Sequence, residues 1–170
     1  MQSPVTVILG LGSNVGDRGA NLARACDALA AIVTDIKHSP MYESDALLPE
    51  GAPKGWNQAF YNMALMGQTP LAPEALLREI KSVEQALGRQ NRGFWAPREI
   101  DIDILAYGDR VVESENLTIP HKELLKRDFA LIPLAELAPD WAFPAPGKFY
   151  GKTAKEMLYL LGFQNTLKKV

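Results

Sequence analysis

The apolar positions of this chain fall into two alternating periods, and their order predicts a fold. Val5 to Leu11 is an apolar run ending in Gly10-Leu11-Gly12-Ser13-Asn14, so it reads as a strand entering a tight turn. Leu22, Ala25, Cys26, Leu29, Ile32 and Val33 then recur at helical spacing, which predicts a first helix over about residues 18–33. Ile36 to Glu43 reads as a second strand and Phe60 to Met66 as a third. Pro73 opens a second helix, where its missing N–H costs nothing; Leu76, Ile80, Val83 and Leu87 form its stripe and Gly88 ends it. A fourth strand follows, in which Ile100, Ile102 and Ile104 alternate with Asp101, Asp103 and Leu105. Strand–helix–strand–strand–helix–strand is the split βαβ, or ferredoxin-like, order. The expected class is therefore α+β, with a mainly antiparallel sheet and helices packed on it. The last third adds a hairpin (111–112 and 117–119), helical pieces near 121–137, and a final helix opened by the capping box Thr153-Ala154-Lys155-Glu156. Residues 1–170 read as one domain.

Two stretches stand outside this periodicity. Residues 45–58 are rich in Pro, Gly and polar residues, and residues 89–99 carry Arg89, Arg92, Gly93, Trp95 and Arg98. Long loops in compact domains are usually functional. The second runs straight into the strand bearing Asp101 and Asp103. The strand period puts both carboxylates on one face, with Cα atoms roughly 6.5 Å apart. Two like charges on an otherwise apolar strand are expensive to bury without a cation between them. Magnesium suits the position, because it takes hard oxygen ligands and shares them with substrate phosphates, which Arg98 could also contact. A strand of alternating Ile and Asp can equally be an edge strand whose Asp side faces water.

Composition narrows the function classes. With 47% hydrophobic and 22% charged residues the chain is ordinary for a globular protein, and its net charge of −2 gives no electrostatic case for nucleic-acid binding. No apolar run reaches membrane-spanning length, and no signal-peptide pattern precedes the first strand. Cys26 is the lone cysteine; beside Leu22 and Leu29 it reads as a buried structural thiol, and the expected compartment is the cytoplasm. Gly10, Gly12 and Gly16 do not match a Rossmann or P-loop fingerprint and read as turn glycines. Glu84, at the margin of its helix stripe, wants a cation that the 89–98 loop could supply, or else it is a solvated helix edge. Thr118 and His121 sit at a strand end flanking Pro120. Arg127 precedes Phe129, and Phe60 and Asn62 share a strand face suited to stacking and hydrogen-bonding a flat heterocycle. A core aromatic with a turn-facing Asn is the plainer alternative. His38 is given no role.

Taken together, these segments closely resemble the 6-hydroxymethyl-7,8-dihydropterin pyrophosphokinase family. The likeness rests on Leu11-Gly12-Ser13-Asn14, Phe60-Tyr61-Asn62-Met63-Ala64, Gly88-Arg89, Ile119-Pro120-His121 and Arg127-Asp128-Phe129, and above all on Ala96-Pro97-Arg98-Glu99-Ile100-Asp101-Ile102-Asp103-Ile104-Leu105. It implies transfer of pyrophosphate from ATP to the pterin hydroxymethyl group, with AMP as the other product. By resemblance Asp101 and Asp103 hold two magnesium ions and act with Arg89 and Arg98 in catalysis. The same resemblance places Arg89, Arg98, His121 and Arg127 on the triphosphate, with Glu84, Trp95, Ile104, Leu117 and Thr118 around the nucleotide. Ser44, Asp45, Phe60, Asn62, Trp95 and Phe129 would surround the pterin. Phe94, Asn91, Asn116 and Ser44-Asp45-Ala46 depart from the family pattern. The expected partners are ATP and a hydroxymethyl dihydropterin, with no nucleic acid and no membrane, on a monomer or weak dimer. A paralogue acting on a related alcohol is one alternative. A non-catalytic module is another; RNA-binding domains share the topology, but this chain lacks their sheet aromatics and basic surface.

Overall fold

Strand β1 (Val5–Ser13) is the spine of the molecule: Val7, Leu9 and Leu11 are buried on one face and Ile8 on the other. A strand covered on both faces needs apolar residues at both parities, which explains its unbroken apolar run. The computed structural model describes residues 2–170. Helix α1 (Arg18–Leu29) starts at Asp17, whose side chain accepts from the Ala20 N–H at 3.0 Å. It ends four residues earlier than its apolar spacing suggests. Ile32 and Val33 turn back onto the Leu29 carbonyl, so they reach the core from a turn rather than from the helix.

The second predicted strand is two strands, β2 (Thr34–His38) and β3 (Tyr42–Ser44), both paired antiparallel with β4 (Phe60–Thr69). Pro40 lies between them and cannot donate to a ladder. The partners step from His38↔Leu65 to Tyr42↔Asn62, so three residues oppose two, a bulge. Ser39 bridges the gap. Its N–H donates to the Ala64 carbonyl at 3.0 Å, and its Oγ accepts from the Ala64 N–H at 2.8 Å.

Helix α2 (Pro73–Ala86) buries Leu76 and Ile80, each worth roughly 1.5–3 kcal/mol of apolar burial. Gly88, at φ +88°, closes it, and the Arg89 N–H turns back onto the Glu84 carbonyl at 3.1 Å. Strand β5 (Asp101–Tyr107) then pairs with β1. The sheet order β5-β1-β4-β3, with β2 beside β4, is the expected ferredoxin-like order, antiparallel throughout. The expected hairpin is present as β6 (Val112–Glu113) and β7 (Thr118–Ile119). Helix α3 (Asp128–Leu137) and helix α4 (Ala154–Leu161) follow, and the Thr153 hydroxyl caps α4 by accepting from the Glu156 N–H. One further strand, β8 (Lys168–Lys169), adds to the free edge of β3. Nothing in the apolar pattern announces it, because both of its residues are exposed.

The sheet separates two cores. Residues of α1 and α2 pack on the face that carries Leu9, Ile102 and Ile104. Residues of α3 and α4 pack on the other, over Ile8, Ala64 and Leu105. Those two helices cover only part of that face, and the part left open holds the site.

Candidate active site

The floor of the site is the sheet itself. Asp101 lies opposite Gly12, which lies opposite Asn62; Asp103 lies opposite Gly10. Residues directly opposite in an antiparallel pair share a face, so the two carboxylates, the two glycines and the amide lie on one surface. Gly10 and Gly12 are therefore strand residues, not the turn residues their spacing suggested. A Cβ on Gly12 would sit 3.4 Å from Asn62 Oδ1 and from Phe60, and one on Gly10 would sit 3.1 Å from Leu105. Their missing side chains leave a cavity of about 480 Å³ between the aspartates and the α3 side.

Most of the residues singled out in the sequence meet there. Asp101, Asp103, Arg98, His121 and Arg127 line the cavity at one side; Ser44, Asp45, Phe60, Asn62, Trp95 and Phe129 line the rest. Asn62 Nδ2 donates to Ser44 Oγ at 2.8 Å, so the two form one polar edge. The Arg127 guanidinium stands 5.7 Å from the Phe129 ring centre. Trp95 lies on the 89–99 loop at φ +66°, with Phe94 beside it almost fully exposed.

Glu84 and Arg89 line a smaller adjoining cleft of about 230 Å³, which Arg98 also reaches. Ile104 and Leu117 point into the core, so their side chains are not on either cavity. Thr118 is half-buried in β7, outside both cavities.

Charge is arranged in a chain. Glu84 is buried, and its partners are Lys81 Nζ at 2.9 Å, the Arg89 guanidinium, and the Ile102 N–H at 3.3 Å. The cation that its helix position demanded is thus Arg89, delivered by the Gly88 turn. Arg89 Nη1 also reaches Asp101 Oδ1 at 3.1 Å, and Arg98 Nη1 reaches the same oxygen at 3.1 Å. Asp103 has no such partner; the imidazole of His121 stands nearest to it, with Nε2 at 3.7 Å. Burial, and after it the Asp101 carboxylate, pushes the Asp103 carboxyl well above the ordinary carboxylate range. Burial, then Arg127, holds His121 below its ordinary value. His121 Nδ1 accepts from the Glu123 N–H at 3.2 Å, which leaves the ring proton on Nε2, facing Asp103. Lys81 is lowered by burial and then by Arg89. On the loop, the hydrogen bond from Arg92 holds Glu99 down to about 2.

Three features escaped the sequence reading. Gly10 and Gly12 open the floor; two glycines at i and i+2 in a strand run were the available signal. Lys81 pairs with Glu84 at i,i+3, a spacing visible on the helix. Asn14 binds the backbone of Arg98, and no local pattern marks a contact between residues 84 positions apart.

Among the described residues, no group of three or more His, Cys, Asp and Glu side chains gathers as a metal cage. Two carboxylates, one without an arginine or lysine partner, are hard oxygen donors of the kind that magnesium takes. The residues present fit that ion.

An antiparallel α+β sheet thus carries paired carboxylates, arginines and a polar–aromatic edge in one cavity. The chain belongs to the 7,8-dihydro-6-hydroxymethylpterin-pyrophosphokinase (HPPK) family, whose model matches residues 8–139. It is 43% identical over 167 residues to the 2-amino-4-hydroxy-6-hydroxymethyldihydropteridine pyrophosphokinase of Aquifex aeolicus, covering 96% of this chain and 94% of that protein. It is 43% identical over 155 residues to the folate synthesis bifunctional protein of Chlamydia muridarum, covering 89% of this chain. The chain spans about a third of that bifunctional relative's length, 34%. The solved Plasmodium falciparum HPPK-DHPS wild type shares the fold at a TM-score of 0.71 and 14% identity, over 99% of this chain and 48% of that one. No helix among the described residues is long and apolar enough to cross a membrane.

Proposed function

We propose that this chain transfers pyrophosphate from ATP to the hydroxymethyl group of 6-hydroxymethyl-7,8-dihydropterin, giving AMP and the pterin diphosphate, a step of folate biosynthesis. The observation that carries this reading is the Asp101–Asp103 pair facing one cavity with Arg98, His121, Arg127 and the Asn62–Ser44 edge. Asp101 and Asp103 would hold two magnesium ions, which would neutralise phosphate charge and lower the pKa of the attacking hydroxyl. The hydroxymethyl oxygen bonds to the β-phosphorus while the bond from that phosphorus to the oxygen bridging the α-phosphate breaks; AMP leaves with that oxygen, and the hydroxyl proton passes to solvent.

The chain's own residues supply position and charge, which is most of what phosphoryl-type transfer requires. Arg89 and Arg98, now shared with Asp101, turn to the phosphates as they arrive. His121 presents an N–H rather than a base to them, and Arg127 adds a further cation. The pterin lies between Phe129 and the Phe60 side, with Asn62 and Ser44 reading its polar edge. Trp95 and its loop cover the site and exclude water.

The test is to incubate the full chain with Mg-ATP and the dihydropterin and to identify the nucleotide released. Pterin-dependent AMP with a pterin diphosphate is expected. ADP would mean transfer of a single phosphate and would overturn the β-phosphorus assignment.

A further inference from the structure

We propose that residues 163–170 are a strap that sets the distance between the two sides of the pterin end of the cavity. The proposal rests on the pterin placement given above. The match to the family model ends at residue 139, before this segment.

One side of that end is β3, which carries Ser44. It is three residues long and runs directly into the loop of residues 45–59. A strand this short, at a sheet edge and beside a long loop, frays unless its free edge is paired. Strand β8 pairs it, with Tyr42 opposite Lys169 and Glu43 opposite Lys168. The Val170 N–H donates to the Met41 carbonyl at 2.9 Å. Antiparallel pairs alternate, so Glu43 and Lys168 form the next hydrogen-bonded pair.

The other side is the start of α3, which carries Phe129. Here the Thr166 hydroxyl donates to Asp128 Oδ2 at 2.7 Å, and Asp128 Oδ1 accepts from the Phe129 N–H at 2.7 Å. The strap therefore grips β3 through its backbone and α3 through one carboxylate whose other oxygen holds Phe129. Between these grips lies a second cavity of about 380 Å³. Ser44, Arg127 and Phe129 line both cavities, while Thr166, Leu167 and Lys168 line only the second. The wall facing the pterin thus has a cleft rather than packed core behind it, and the strap spans that cleft. Thr166 and Lys168 act as positioning residues.

The test uses Thr166→Val, Thr166→Ser and Lys168→Pro in the full chain. Both positions are exposed, so the two cores are untouched. Thr166→Val removes the hydroxyl, and Lys168→Pro removes the N–H facing β3. Both are expected to raise KM for the dihydropterin at least fivefold, with KM for ATP, kcat at saturating pterin and the melting temperature close to those of the parent. Thr166→Ser is expected to restore the parent KM. Phe129→Ala, measured in parallel, separates this proposal from the reading beneath it. If Phe129→Ala weakens pterin binding while Thr166→Val and Lys168→Pro leave it within twofold, the strap has no role. If Phe129→Ala also leaves it unchanged, the pterin does not lie there, and both readings fall. Parallel losses for ATP and pterin with a lowered melting temperature would show a merely structural segment and overturn the proposal.

Discussion

Asn14 and Arg98, 84 residues apart, exchange hydrogen bonds in both directions: Asn14 Oδ1 accepts from the Arg98 N–H at 2.8 Å, and the Asn14 N–H donates to the Arg98 carbonyl at 3.1 Å. The remaining amide group of Asn14 donates to the Gln58 carbonyl at 3.0 Å. One buried side chain therefore pins the arginine loop and the end of the 45–59 loop to the tip of β1. Asn14→Leu keeps the branched shape of the side chain and removes its two hydrogen bonds, leaving the backbone bond to the Arg98 carbonyl in place. It is expected to lower kcat about 100-fold, on the scale of misplacing a positioned group by an ångström. It is also expected to lower stability by about 1–3 kcal/mol, the cost of stranding buried polar groups. Steady-state kinetics and thermal unfolding of the same preparation check both.

Asp101→Ala removes one of the two carboxylates and the shared partner of Arg89 and Arg98. Magnesium-dependent turnover is expected to fall by several powers of ten, as when an essential charge-stabilising part of a phosphoryl-transfer site is lost. Near-parental turnover in this variant would refute the metal assignment.

Gly12→Ala places a methyl group at 3.4 Å from Asn62 Oδ1 and Phe60. That is ordinary contact, so the fold is expected to hold within about 1 kcal/mol. The methyl narrows the floor beside the polar edge, and KM for the pterin is expected to rise about tenfold with KM for ATP unchanged. A rise in both would move the pterin elsewhere in the cavity.

Burial pushes the Cys26 thiol up from 9.0 to about 11, with Asp27 adding to the shift. A group whose folded pKa is raised contributes stability that is complete below its unfolded value and lost as pH rises through the folded one. The thiol therefore favours the folded state fully below pH 9.0 and less and less toward about 11. Thiol reagents at pH 8 are expected to leave Cys26 unmodified until denaturant unfolds the chain; rapid labelling of the native protein would refute its burial.

Glu99 moves the other way, from 4.5 to about 2, chiefly through its hydrogen bond with Arg92. A depressed carboxylate holds its contribution above the unfolded value and loses it as pH falls through the folded one. Order in the 89–99 loop is expected to persist above pH 4.5 and to fade toward pH 2, where the Glu99 carboxyl titrates. Carbon NMR of that carboxyl, with Glu99→Gln as the flat control, reads it directly.

The sheet order was legible because periodicity and caps agree wherever one face of an element is buried. Pro73 and Gly88 bracket α2, Thr153 opens α4, and the Ile–Asp alternation of β5 marks its two faces. Where the chain broke a local rule, the reading slipped. Pro40 splits one predicted strand into two, a break that depends on Ser39 finding Ala64 on a strand distant in sequence. Gly10 and Gly12 look like turn residues because glycine usually serves backbone geometry, whereas here it leaves space. Asp101, Asp103, Arg98 and His121 were visible as chemistry. Asn14 was visible only as part of a motif, since its partners lie across the fold.

Strand β5 carries the isoleucines of one core on one face and the carboxylates of the cavity on the other. A slip of a single residue against β1 would exchange the two sets, driving charge into the core and isoleucine into the site. A chain that lost its aspartate pair this way would also fail to fold stably. The register that fills the core is therefore the same register that keeps both carboxylates in the cavity.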